Sequence, residues 1–92
     1  MKLIDIDKIE SIENHVHYIK IYKASAILMD KKAILSRYNI EFSLEYKPLE
    51  GPSIKVKFKE HPHFPLISIM KEVKNKIIEL EKAGKLSQVH KK

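Results

Sequence analysis

Residues 39–60, NIEFSLEYKPLEGPSIKVKFKE, decide how the rest of the chain must be arranged. Ile40, Phe42, Leu44 and Tyr46 alternate with Glu41, Ser43, Glu45 and Lys47, and after a break Ile54, Val56 and Phe58 alternate with Lys55, Lys57 and Lys59. A period of two is that of a strand with one face buried and one open. The break, residues 48–53, holds two prolines and a glycine, the composition of a turn, so the stretch reads as a β-hairpin. Matching the apolar faces pairs Phe42 with Phe58, Leu44 with Val56 and Tyr46 with Ile54. The same register sets Glu45 opposite Lys55 and Glu41 opposite Lys59, cross-strand ion pairs worth roughly 0.2 to 1 kcal/mol each. The lysine row is therefore partly neutralised by its own hairpin.

A hairpin with one apolar face needs a cover, and residues 65–83 supply it. Pro65 suits a first helical position, and Gly84 suits the left-handed residue past the end. Leu66, Ile69, Met70, Val73, Ile77 and Leu80 recur at helical spacing, while Lys71, Glu72, Lys74, Lys76, Glu79 and Lys82 form a mixed solvated side. Upstream, HVHYIKIYK (15–23) reads as another strand. Its expected core face is His17, Ile19 and Ile21, and its expected open face is Val16, Tyr18, Lys20 and Tyr22. Asp30 followed by Ala33, Ile34, Leu35 and Tyr38 reads as a capped short helix over 31–38 ended by Asn39, with a start already at Ala24 as the alternative. Near the N-terminus KLIDI reads as a short strand, and Asp7 with Glu10 three residues on imitates a capping box. The expected fold class is α+β: a three- to four-stranded, mainly antiparallel sheet, a C-terminal helix packed on one face, and one shorter helix. Residues 1–84 are expected to form one domain and 85–92 a flexible basic tail.

The chain has 92 residues, 43% apolar and 33% charged, with a formal net charge of +6 and no cysteine. That length allows one modest core. Absence of cysteine removes disulfides, thiol nucleophiles and Cys-ligated zinc. No apolar run approaches the length of a membrane span, and Asp5, Asp7 and Glu10 stand where a signal peptide needs an apolar core, so a cytoplasmic protein without membrane contact is expected. The positive excess lies in residues 15–39 and in the tail. Seventeen of the eighteen cations are lysine, with Arg37 the exception, which argues against direct base reading, a task for the planar guanidinium fork.

Motifs for catalysis are weak. Two separated glycines make neither a phosphate-cradling loop nor a nucleophile elbow. Ser68 and Lys71 match Ser-x-x-Lys without its companion motifs, and Glu41 and Glu45 beside Lys55 and Lys59 should be ionised and structural. No catalytic residue is assigned, and the protein is expected to be non-enzymatic. His15 and His17, and His61 and His63, are two His-x-His pairs whose spacing projects both imidazoles to one side of a strand, as at zinc or iron sites. Strand phase opposes their convergence, because His17 sits with Ile19 and Ile21 while His61 sits with the lysines. No metal ligand or cofactor is assigned.

The stronger candidate surface joins Tyr18, Lys20 and Tyr22 to the Lys55, Lys57 and Lys59 row. Aromatic rings within a positive field form the general platform for RNA or single-stranded DNA, with Lys31, Lys32 and Arg37 adding phosphate contacts. A small accessory module binding RNA or single-stranded DNA on this face is the leading expectation. A protein adaptor or regulatory subunit, or a homodimer, using the same sheet surface is the alternative, since tyrosines and lysines also cover and protect sheets.

Overall fold

In the computed structural model, which describes residues 1–12, 18–60 and 66–86, four strands and one helix follow one another in the order β1 (Lys2–Ile12), β2 (Ile19–Met29), β3 (Leu35–Lys47), β4 (Gly51–Phe58) and α1 (Ile67–Lys82). The strands form one antiparallel sheet in sequence order, β1-β2-β3-β4. The expected α+β class holds. The expected shorter helix does not: residues 35–38 are the start of β3, and among the described residues α1 is the one α-helix. Asp30 does act as a cap, but of a turn. Its Oδ1 accepts the amides of Lys32 at 2.8 Å and Ile34 at 3.0 Å, and Ala33 takes φ +64°, so the β2–β3 connection is a tight hairpin loop. β-Branched and aromatic residues on both sides then favour the extended chain over a short helix.

At the N-terminus the capping-box pattern is likewise overridden. Asp7 and Glu10 belong to β1, which carries register shifts between Leu3 and Asp5 and between Asp7 and Glu10, with Lys8 at φ +51°. Bulges of this kind bend and twist an edge strand. α1 lies across the sheet with its backbone nearest the two edge strands, β1 and β4, and Tyr22 and Phe42 fill the middle with rings stacked at 5.1 Å. Ile69, Val73, Ile77 and Leu80 of α1 are buried against Ile6, Ala24, Ala26, Leu28, Ile40 and Leu44 of the sheet.

The helix begins after Leu66, whose carbonyl accepts the Met70 amide at 2.7 Å; Pro65 lies outside the described residues. Its end is a Schellman motif. Gly84, at φ +73°, donates to Glu81 O at 3.1 Å, and Lys85 donates to Leu80 O at 3.0 Å. Leu86 then returns to the core with 2% of its surface exposed, so the packed unit continues beyond residue 84.

The β3–β4 hairpin keeps the expected faces, but its register is two residues tighter. Phe42 faces Val56, Leu44 faces Ile54 and Ile40 faces Phe58, while Glu41 faces Lys57 and Ser43 faces Lys55. The cause is the turn. Lys47 pairs with Gly51 across the three residues Pro48, Leu49 and Glu50, and Gly51 at φ +75° supplies the left-handed position that closes a three-residue loop.

Candidate functional site

The sheet has a face covered by α1 and a face that the described helix leaves open. Strand parity assigns each side chain. On β2, Tyr22, Ala24, Ala26 and Leu28 point to the helix, which places Ile19, Ile21, Lys23, Ser25 and Ile27 on the open face. This reverses the phase expected for β2. Tyr22 is 3% exposed and packed on Phe42, so it offers no ring to a ligand. Tyr18 is 58% exposed, but it and Lys20 share the helix-side parity, and Lys20 Nζ sits 5.8 Å from the centre of the Tyr46 ring.

Lys55, Lys57 and Lys59 lie on the opposite, open face. The aromatic and cationic halves of the expected platform are therefore on two sides of one sheet. Lys31 and Lys32 are exposed in the β2–β3 turn, away from both. Arg37 is on the open face, where its guanidinium is paired with Asp7 of β1. Lys59 Nζ bonds Glu41 Oε2 at 3.0 Å, a pairing expected from the sequence and reached here diagonally, two residues from the observed register partner. Among the described residues, Lys23, Lys55 and Lys57 have no carboxylate within 4.0 Å.

The middle of the open face is apolar. Ile12 and Ile21 are register partners on β1 and β2, Ile19 follows on the same side, and all three are half-buried. Beside them a shallow hollow of about 330 Å³ is lined by Ile19, Ile21, Ser43, Lys55, Glu41 and Lys57. The signal for this surface was present in IKIYKASAILM, where both parities are apolar: Ile19, Ile21 and Ile27 on one, Tyr22, Ala24, Ala26 and Leu28 on the other.

On the covered side, at the end of α1, Tyr46 donates its hydroxyl proton to Glu81 Oε1 at 2.8 Å. Burial, that hydrogen bond and the Glu81 charge push the Tyr46 phenol up to about 12, and burial followed by the same carboxylate raises Tyr22. Both groups are thereby held protonated, a structural arrangement and a poor one for proton transfer near neutral pH. The Ser68 and Lys71 pair lies at the start of α1 with both side chains exposed. His15, His17, His61 and His63 lie outside the described residues. Among the described residues no group of three or more His, Asp or Glu could hold a metal ion, and no helix is long and apolar enough to cross a membrane. No curated protein and no solved structure matches the chain. A family profile does match, over residues 1–82, and on that match the chain belongs to the BB_0187 family.

Proposed function

We propose that this chain is a small, non-enzymatic binding module of the cytoplasm that docks another protein chain through the helix-free face of its sheet. One observation carries the reading: β2, an interior strand, is apolar on both faces, although only one is covered by α1. An antiparallel sheet with one solvated face normally alternates cleanly between apolar and polar residues. Here Ile12, Ile19 and Ile21 are contiguous on the open side, and Lys55 and Lys57 border them, the anatomy of an apolar contact centre with a charged rim. A nucleic-acid ligand is less well supported, because the rings that would stack bases are on the other side of the sheet from the lysines.

The test is site-specific photo-crosslinking. A benzophenone amino acid is placed at Ser43, central on the open face, or at Ser68, exposed on α1, and each protein is irradiated pure and in an extract of the cells that make it. A discrete protein adduct at Ser43 and none at Ser68 supports the reading. Equal labelling at both positions, or none at Ser43, refutes it. RNA or DNA recovered at Ser43 also refutes it in favour of nucleic-acid binding, which anisotropy with single-stranded oligomers at two salt concentrations would then measure.

A further inference from the structure

The open face reverses its charge from one edge of the sheet to the other. Register partners define a row across all four strands: Glu10 on β1, Lys23 on β2, Glu41 on β3 and Lys57 on β4, that is, minus, plus, minus, plus. The next row toward the β2–β3 turn begins with Asp7, passes through Ser25 and Asn39, and ends with Lys59, whose amide donates to Asn39 O at 2.9 Å. It reads minus, neutral, neutral, plus. A two-fold axis lying parallel to the strands, between β2 and β3, places β1 of one copy over β4 of the other and β2 over β3. Under that operation each charge in both rows meets its opposite: Glu10 over Lys57, Lys23 over Glu41, Asp7 over Lys59.

The same axis treats the apolar residues equally well. Ile19 and Ile21 lie on a strand adjacent to the axis, so each falls about one strand spacing, roughly 4.8 Å, across from its own equivalent at the same height. Side chains of two facing sheets interdigitate over a layer about 10 Å thick, which brings these four isoleucines into one strip along the axis. The long stem of Lys55 from one copy covers Ile12 of the other while its ammonium reaches solvent. Aligned packing of two antiparallel sheets is an established arrangement, and an isologous contact needs a surface of this self-complementary kind.

We infer that the partner of the open face is a second copy of this chain, docked sheet to sheet about a two-fold axis parallel to the strands. The inference rests on the docking reading above and adds the identity and geometry of the partner. Four strands about 4.8 Å apart and about seven residues at roughly 3.3 Å each give a projected footprint on the order of 450 Å². That lies at the small end of specific interfaces, so the dimer is expected to be concentration-dependent and weakened by salt.

The experiment is sedimentation velocity of the full chain over micromolar to several hundred micromolar concentration at low and high salt, with circular dichroism confirming the fold of each variant. Because every contact occurs twice, Glu10→Lys or Lys57→Glu alone should weaken dimerisation by at least about tenfold. The double variant Glu10→Lys with Lys57→Glu restores the sign reversal and should restore the dimer. An equimolar mixture of the two single variants should form the mixed dimer. There the lysine introduced at position 10 of one copy meets the glutamate introduced at position 57 of the other, and the unchanged Lys57 and Glu10 meet at the second contact. A wild-type chain that stays monomeric at the highest concentration and low salt overturns the inference, as does a dimer indifferent to the single reversals. If the chain is monomeric and the Ser43 crosslinker still yields a discrete adduct with a different protein, the docking reading survives without the second copy; if Ser43 yields nothing, both fail.

Discussion

Replacing Tyr22 by alanine separates the two meanings that a tyrosine on β2 can have. With 3% of its surface exposed and its ring stacked 5.1 Å from that of Phe42, Tyr22 sits among the largest buried side chains between the sheet and α1. Truncating a buried aromatic to alanine removes its transfer free energy and leaves a cavity, together about 3 to 5 kcal/mol. A domain of this size has a total stability on the order of 5 to 15 kcal/mol, so the loss is a third of it or more in most of that range. At about 4 to 8 °C per kcal/mol, a loss of about 3 kcal/mol lowers the melting midpoint by roughly 12 to 24 °C. Tyr18→Ala is the matched control: its side chain is 58% exposed and near the end of the same strand, so its cost should stay within about 0.5 kcal/mol. Thermal and urea unfolding followed by far-ultraviolet circular dichroism measure both. Equal, small effects of the two substitutions would mean that Tyr22 is not in the core, and the assignment of every β2 side chain to its face would fall with it.

Gly51 makes a second prediction. A Cβ there would meet nothing within 4 Å, so Gly51→Ala should cost only the left-handed backbone penalty, about 1 to 2 kcal/mol, and Gly51→Asn less; urea midpoints order the three proteins. Tyr46 makes a third, in alkali. Its folded pKa near 12 lies above the ordinary value of 10, so its contribution is complete below pH 10 and is lost as pH rises from 10 through 12, where the unfolded chain releases the proton first. Tyr46→Phe should therefore lower stability by about 1 kcal/mol at neutral pH and flatten the decline between pH 10 and 12; a decline of unchanged steepness in the variant would refute this origin.

The parts of the fold legible in the sequence are those where one signal dominates. Residues 39–60 alternate cleanly and form the hairpin, and the stripe from Leu66 to Leu80 buries the face that its spacing indicates. The hairpin register was open to error by two because a shift of two keeps every side chain on its face, and only the turn distinguishes the choices. Gly51 in the left-handed conformation carries that information, whereas the two flanking prolines suggest a longer loop. β2 was ambiguous for a different reason. With apolar residues in both parities its period carries little phase information, and the large Ile19 and Ile21 outweigh the small Ala24 and Ala26 that actually sit under the helix. Asp30 satisfies backbone amides in either a helix cap or a turn, so its presence alone does not choose between them. The open face was hidden by the same inverted phase, since it is composed of the β2 residues expected in the core and the β4 lysines expected outside it.

Placing the only helix of the described chain after all four strands has a consequence for folding. Each strand pairs with its neighbour in sequence, so the meander is built from short-range contacts that form early and fast. The contacts of α1 with β1 join opposite ends of the described chain and close last; Glu72, for example, accepts the Leu3 amide at 3.4 Å. During synthesis the ribosome releases the meander before the helix can reach it, leaving Leu28, Ile40, Phe42 and Leu44 uncovered for the time needed to add residues 67–86. At about 5 to 20 residues per second that is an interval of roughly one to four seconds, long compared with hairpin formation in microseconds. The nascent chain is thus an exposed apolar sheet before it is a packed domain, and chaperone dependence should be greatest in that window.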